Sequence, residues 1–305
     1  MTFTQTKKGK VIIVLGTTAS GKTRLAVNIA KKFNGEIISG DSRQVYKGMD
    51  IGTGKDMKEY GKVPYHLIDI VSPKKQFTVA EFQEKAYKAI EDILKREKLP
   101  IICGGTGLYI DAVTKGLKFT KLRITNYEFG KIRRKFDKRT LKQLLKLLRE
   151  IDPATYKIID KKNRRRVQRA LEIYYETGIP KSRQENMDPP PYEFLKIGVT
   201  FPRAVLNKRI EKRLDERLKE GMIAEVKRLH ARGVSWKRLD GFGLEYRWVS
   251  RYIRGMISKE EMREKLFRAI CHFAKRQMTW FRRDKDIHWM GDAKEVFGLI
   301  RKFLK

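Results

Sequence analysis

Soft metal ligands are scarce: two cysteines and four histidines in 305 residues. Cys103 and Cys271 lie far apart, neither in a CxxC pair, and His66, His230, His272 and His288 are scattered. A structural zinc site and dependence on disulfides are not expected, so a reduced, cytoplasmic protein is the default. No apolar run approaches the roughly 20 residues that span a bilayer. The opening MTFTQTKKGK has no apolar stretch of the kind a secretory signal needs, so none is expected. Internal repeats, low-complexity tracts and a Ser/His/Asp triad pattern are also missing. Acidic residues are few, 36 Asp+Glu against 70 Lys+Arg, a formal net charge of +34. That excess calls for a polyanionic partner, nucleic acid or an anionic membrane. Apolar residues make up 41%, enough for a core, which excludes a wholly disordered chain. The length suits one large domain or two modest ones.

Short apolar runs alternate with helical patterns in the first third. Val11 to Leu15 reads as a buried strand ending at Gly16, followed by a helix from Thr23 to Phe33. Glu36 to Ser39 and His66 to Ile70 read as second and third strands. Thr78-Val79-Ala80-Glu81 is a capping box opening a helix to about Lys95. Pro100 leads into Ile101-Ile102-Cys103, a strand closed by Gly104-Gly105. This alternation predicts a parallel α/β sheet. From Lys115 to Glu150 the chain turns basic, with 13 Lys+Arg and 3 Asp+Glu. Leu141, Leu144, Leu145 and Leu148 recur there at helical spacing. Asp152-Pro153 starts another helix, and Asn163 caps one from Arg164 to Thr177 with Gly178 just past its end. Asp188-Pro189-Pro190-Pro191 is a stiff connector, Leu195 to Phe201 a returning strand, and the rest mostly helix, with a capping box at Ser258 to Glu261.

Gly16-Thr17-Thr18-Ala19-Ser20-Gly21-Lys22-Thr23 matches GxxxxGK[ST] between a strand and a helix, the setting of a P-loop. Its backbone N–H groups would encircle phosphate oxygens at a helix N-terminus. Lys22 would reach the phosphates as a point charge, and Thr23 would hold Mg²⁺ through its hydroxyl. The motif specifies a polyphosphate, not which one. Asp41-Ser42 directly follows the second strand, where open α/β sheets bind ligands. Its carboxylate is open to three roles: metal ligand, helix cap or general base. Gly104-Gly105-Thr106-Gly107 allows close approach of a ligand or backbone, but many strand-to-helix turns look like it.

Arg164-Arg165-Arg166-Val167-Gln168-Arg169 is the densest basic cluster, with Arg165 and Arg169 on one helix face. Arginine forks suit phosphates and stack on bases; a solvated helix face is the competing reading. Arg209 and Arg213, four apart, lie on the helix after Pro202, where Asp215 and Glu216 could pair with Arg213. Trp280-Phe281 and Trp289 read as packing.

Taken together these blocks resemble the tRNA dimethylallyltransferase (tRNA isopentenyltransferase) family, of bacterial type. The resemblance runs through GTTASGKT, EIISGDSRQVYKGMDIGTGK, HLIDIVSP, FTVAEFQEKA and PIICGGTGLYIDAV, then NRRRVQRALEIYYETG, RIEKRLDERLKEGMIAEV and FAKRQMTWFRRDKDIHW. It covers nearly the whole chain in order and weakens between about Lys115 and Glu150. It implies a P-loop NTPase-like parallel sheet flanked by helices, built from 1–114 and 192–305, with a strongly basic helical tRNA-binding domain, 115–191, inserted. It also implies transfer of a dimethylallyl group from dimethylallyl diphosphate to the N6 amine of the adenosine 3′-adjacent to the anticodon. The tRNAs concerned read codons starting with U.

By the same resemblance Asp41 is the general base and Thr106 binds near the reacting centre. Lys22, Mg²⁺ and Arg213 neutralise the departing diphosphate, with Gly16 to Thr23 as its cradle. Asp41, Ser42, Arg43, Gln44, Thr106 and Arg165 to Arg169 match tRNA-contacting segments. Thr17 replaces a usual Pro, and Leu239 to Leu244 matches only loosely a segment that ends in Gly-Tyr. An inserted-domain tRNA contact falls on Gly130, Lys131 or Arg133, the alignment leaving the three open. A monomer without a membrane partner is expected. Two alternatives stay open: prenylation of free adenine nucleotides, and a P-loop NTPase or kinase with an RNA-binding role.

Overall fold

A computed structural model describes residues 8–119, 126–184, 187–290 and 293–305. Residues 1–7, in the stretch read as lacking a leader, and 120–125, inside the basic stretch, lie outside the described residues. Contacts divide the chain into two compact units, Met1–Gly116 with Pro190–Lys305, and Leu117–Pro189.

In the larger unit six strands, among the described residues, form one sheet: β1 (Lys10–Gly16), β2 (Gly35–Ser39), β3 (Tyr65–His66), β4 (Leu99–Gly104), β5 (Glu193–Val199) and β6 (Ile287–Met290). Their order is β3-β2-β4-β1-β5-β6, every pair parallel. Val11, Ile13 and Leu15 of β1 face one core; Ile12 and Val14 face the other, all fully buried. A strand covered on both faces must be apolar throughout, which is why VIIVL shows no alternation. Each such side chain contributes roughly 1.5–3 kcal/mol by leaving water.

Helices α1 (Lys22–Lys32), α2 (Met57–Tyr60), α3 (Val79–Lys95) and α4 (Gly107–Thr114) fill the first half of this unit. The capping box at Thr78 and Glu81 forms as expected. The smaller unit holds α5 (Asn126–Asp137), α6 (Leu141–Ile151), α7 (Pro153–Ile158) and α8 (Arg164–Thr177) around Phe136, Leu144, Leu148, Val167, Ala170 and Leu171. The larger unit resumes with α9 (Arg203–Lys219), α10 (Met222–Ala231), α11 (Trp236–Phe242), α12 (Leu244–Ile253), α13 (Lys259–Phe281) and α14 (Ala293–Leu304). No helix among the described residues is long and apolar enough to cross a membrane.

Three strand readings need correction. The third strand stops at His66, because Leu67 and Asp69 turn left-handed, with φ of 62° and 56°. The bend delivers the Asp69 carboxylate to the buried ammonium of Lys55 at 2.5 Å, beside Asp50 at 2.7 Å and the Tyr46 carbonyl at 2.8 Å. A charge taken out of water needs such partners, and that need outweighs the strand propensity of Leu-Ile-Asp-Ile. The returning strand begins two residues earlier than read, since its register with β1 runs from Lys10↔Glu193 to Gly16↔Val199. A sixth strand, β6, interrupts the helical C-terminal region; Ile287 to Met290 is too short to show a period.

Glu36 in β2 is almost wholly buried, and its carboxylate accepts from Arg96, from Lys98 Nζ at 2.9 Å and, at 2.7 Å, from His66 Nε2. Burial alone would raise its pKa, but the three donors outweigh it and hold it at about 2. An unfolded glutamate titrates near 4.3. A depressed folded pKa stabilises above that value and is lost as pH falls toward 2. The expected result is a urea midpoint that drops between pH 5 and pH 3, with a shallower drop in Glu36→Gln.

Candidate active site

The three turns singled out from the sequence follow neighbouring strands. The loop from Gly16 leaves β1, Gly104-Gly105-Thr106 leaves β4, and Gly40-Asp41 leaves β2, and these strands sit in the order β2-β4-β1. Because all are parallel, their C-terminal ends open on one edge, where ligands of α/β sheets bind. Gly104 has no room for a side chain: a β-carbon there would collide with the Gly40 carbonyl. This contact lets the β2 and β4 turns touch.

Gly21, with φ of 80°, turns the P-loop into α1. Lys22 Nζ folds back onto the Thr17 carbonyl at 3.2 Å. The hydroxyls of Thr17 and Ser20 are buried without a hydrogen-bond partner among the described residues. Buried hydroxyls free to donate in a loop of this shape suit a phosphate oxygen. Burial pushes the Lys22 ammonium below its ordinary pKa, with Arg213 adding to that, while Cys103, Asp41 and Asp56 pull it back. Beneath the loop burial raises the Cys103 thiol to about 11, so it stays neutral and inert near pH 7. Thr23, first in line for Mg²⁺, offers a hydroxyl oxygen at the start of α1. A hard oxygen beside a phosphate cradle fits that ion, which binds through few protein ligands plus phosphate and water.

Asp41 Oδ1 accepts from the Arg43 N–H at 2.8 Å; Oδ2 has no hydrogen-bond partner among the described residues. Thr106 occupies the N-cap of α4, yet its hydroxyl does not cap. It accepts from Ser42 N–H at 3.0 Å and donates to Ser42 Oγ at 3.3 Å. An N-cap hydroxyl is ordinarily spent on its own helix, so this diversion ties Thr106 to the Asp41 turn. Gln44, grouped with tRNA contacts, accepts from Ser39 Oγ at 2.8 Å and donates to the Gly54 carbonyl at 3.1 Å. Arg43 lies over the Phe242 ring, 5.4 Å from its centroid, and burial lowers its pKa while Asp41 opposes.

Gln277 on α13 joins the P-loop to the β4 turn. It accepts from Thr18 N–H at 2.9 Å and donates to the Gly105 carbonyl at 2.8 Å. Sequence reasoning missed it, although it sits in the FAKRQMTWF block that carries the resemblance. Gln277→Leu would strand a buried N–H and a carbonyl, at a cost of about 1–3 kcal/mol. The expected readout is a lower urea midpoint together with a raised KM for whatever the P-loop binds.

From α9, Arg209 Nε donates to the Ala19 carbonyl at 2.7 Å, and Arg213 Nη2 pairs with Asp56 at 2.6 Å. The acids near Arg213 in sequence are used elsewhere, Asp215 on Arg263 and Glu216 on Lys212. Asp215, two residues on, leaves the face that Arg213 presents, and Glu216, three residues on, is taken by Lys212. Thr18, Ala19, Ile210, Arg213, Leu214, Arg217, Glu245 and Ile270 line a small open pocket. Of the sequence-predicted residues it takes in Thr18, Ala19 and Arg213; Asp41 and Thr106 are not among its walls.

In the smaller unit Arg165 and Arg166 are exposed, but Arg169 bonds Glu172 at 3.4 Å and Gln168 bonds Asp137 at 3.0 Å. Val167 corrects the reading of this segment: it is fully buried in the unit's core, so its side chain cannot face a ligand. Arg164 clamps the carbonyls of Phe136 and Arg139, both at 2.7 Å. Arg133 stands 3.6 Å from Glu172.

Comparison with known proteins adds what geometry cannot. Residues 44–284 match the family model described as IPP transferase, and residues 9–63 match one described as isopentenyl transferase. A tRNA dimethylallyltransferase 2 of Shewanella sediminis is 46% identical over 299 residues, covering 95% of this chain and 96% of that one. The crystal structure of a full-length tRNA isopentenylpyrophosphate transferase from Bacillus halodurans aligns with a TM-score of 0.73 at 38% identity, covering 98% and 97% of the two chains. A eukaryotic dimethylallyltransferase acting on tRNA aligns with a TM-score of 0.80 at 28% identity, over 93% of this chain and 74% of that one.

Proposed function

The chain belongs to the IPP transferase family, and on that ground we propose that it transfers a dimethylallyl group from dimethylallyl diphosphate to tRNA. The acceptor is the N6 amine of the adenosine 3′-adjacent to the anticodon, in tRNAs reading codons that start with U, and diphosphate is released. The observation that supports this best is the row of three strand ends. A P-loop with unspent hydroxyls, a threonine diverted from its cap and an aspartate with a free oxygen follow β1, β4 and β2.

The N6 lone pair attacks the first carbon of the allylic chain. The bond from that carbon to the diphosphate oxygen breaks, and its electron pair leaves with diphosphate. An exocyclic amine is a poor acid, so its proton must leave as the new bond forms; Asp41 takes it. Thr106, bonded to the Asp41 turn, holds the adenine beside Asp41. Lys22, Arg213 and the loop N–H groups from Gly16 to Thr23 stabilise the charge growing on the leaving group. Mg²⁺ bound at Thr23 would share that charge. The adenine must swing out of its stack to reach Asp41. The segment 115–191 acts as the tRNA-binding domain, and the enzyme works as a cytoplasmic monomer.

Labelled dimethylallyl diphosphate incubated with tRNA, with AMP and alone, beside labelled ATP alone, tests the reading. Label in tRNA only is the expected result. Label in AMP points to nucleotide prenylation, and ATP hydrolysis without prenyl transfer points to an NTPase. Neutralising Arg165, Arg166 and Arg169 together should weaken tRNA binding and flatten its dependence on salt, since each lost phosphate contact removes close to one unit from the slope. An unchanged slope would return the cluster to a solvated helix face.

A further inference from the structure

Arg209, Arg213 and Arg217 recur every four residues along α9, so they share one face. The first two have partners within hydrogen-bond distance. Arg217 does not. Its residue is only 7% exposed, and its Nη2 is buried with no hydrogen-bond partner among the described residues. Its nearest carboxylate, Glu245 at the start of α12, stands 3.6 Å from Nη1, too far for a hydrogen bond. Glu245 is itself buried, and burial pushes its carboxyl above the usual range, so it is a poor counter-ion. The second arginine makes the imbalance worse. A β-carbon at Gly54 would run into Nη2 of both Arg213 and Arg217, so two guanidinium groups converge on one glycine. Arg213 already pairs with Asp56, so the buried charge left without a close anion is that of Arg217. Both arginines line the pocket that Thr18 and Ala19 of the P-loop also line, together with Ile210, Leu214 and Ile270.

We propose that Arg217 is a second diphosphate-binding arginine beside Arg213, taking an oxygen of the phosphate group furthest from the prenyl chain, with Glu245 as its resting partner. This rests on the reading that the P-loop holds a prenyl diphosphate. A fork donor with one arm unspent matches a phosphate oxygen better than it matches a carboxylate at 3.6 Å. When diphosphate enters, Arg217 turns its free Nη2 to it, and Glu245 is left facing a less positive neighbour. No bond is made or broken in this exchange.

Calorimetric titration with inorganic pyrophosphate and Mg²⁺ tests the assignment without turnover. Arg217→Met should weaken pyrophosphate binding at least tenfold and raise the KM for dimethylallyl diphosphate, with tRNA affinity unchanged. Glu245→Gln removes the competing carboxylate and should tighten pyrophosphate binding severalfold, which a purely structural pair would not do. If Arg217→Met fails to fold, Arg217→Met with Glu245→Gln takes its place, because it leaves no buried carboxylate charge unpaired. Binding within twofold of the unmodified protein in the arginine variant, or no tightening in Glu245→Gln, overturns the proposal. Lys22→Met separates the two levels. If it loses pyrophosphate while Arg217→Met keeps it, only this inference falls. If the unmodified protein does not bind pyrophosphate, the P-loop reading falls with it.

Discussion

Asp41→Asn should lower the turnover number by about two to four orders of magnitude, the usual worth of a general base, while tRNA affinity stays within about threefold. Asparagine makes the test a clean one. Its side-chain oxygen can still accept from the Arg43 N–H, as Asp41 Oδ1 does at 2.8 Å, so the turn that carries Ser42 to Thr106 survives. What disappears is the capacity of Oδ2 to take a proton. Alanine would remove both and confuse a folding defect with a chemical one. Single-turnover measurements with saturating tRNA and donor read the chemical step directly, and near-normal turnover would sink the base assignment. Thr106→Val in the same assay should cost less, because the hydroxyl positions the turn and does not itself receive the proton.

The second large effect lies outside the reacting centre. Glu225 on α10 is almost wholly buried, and its two oxygens accept from four donors. They are the N–H groups of Asp50 at 2.8 Å, Ile51 at 2.7 Å and Gly52 at 3.1 Å, and the Tyr246 hydroxyl at 2.8 Å. Burial and the Glu225 charge push the Tyr246 hydroxyl well up, so it remains a neutral donor. The segment thus pinned leads straight to Gly54, whose carbonyl holds Gln44 and against which Arg213 and Arg217 converge. Hydrogen bonds to a charged group contribute about 1.5–3 kcal/mol each, and donors left without an acceptor in the core cost more than the average bond. Glu225→Ala should therefore destabilise the protein by at least about 3 kcal/mol in urea unfolding. Glu225→Gln should fall between, since an amide accepts through one oxygen and turns its NH₂ toward the remaining donors. Loss of stability below about 1 kcal/mol in the alanine variant would mean that the segment finds other acceptors.

The three turns at the strand ends were legible in sequence because each is local. A P-loop is eight consecutive residues, and its meaning depends only on a strand before it and a helix after it. Asp41 and Thr106 could be singled out for the same reason, each standing two residues past the end of a buried strand. Residues that act across the fold left no local trace. Gln277 lies 259 positions from the Thr18 it holds, and Glu225 lies 175 from Asp50. Both lie in blocks that carry the family resemblance, but no local pattern there says which turn each one holds. Val167 erred in the other direction, since a short motif has no way to say which of its residues turns inward.

The sequence by itself determined the sheet's class, the phosphate loop, the helix caps at Thr78, Asn163 and Ser258, and the polyanionic character of the partner. Each of these follows from periodicity, charge or bond geometry over a few residues. The tertiary structure decided the rest. It set β2, β4 and β1 side by side so that three separate turns share an edge, ended β3 early to supply Lys55 with carboxylates, and brought two arginines of α9 onto Gly54. These outcomes depend on which buried donors and charges find partners after the chain has folded back on itself, and that pairing is settled by distance in space, which spacing along the chain does not encode.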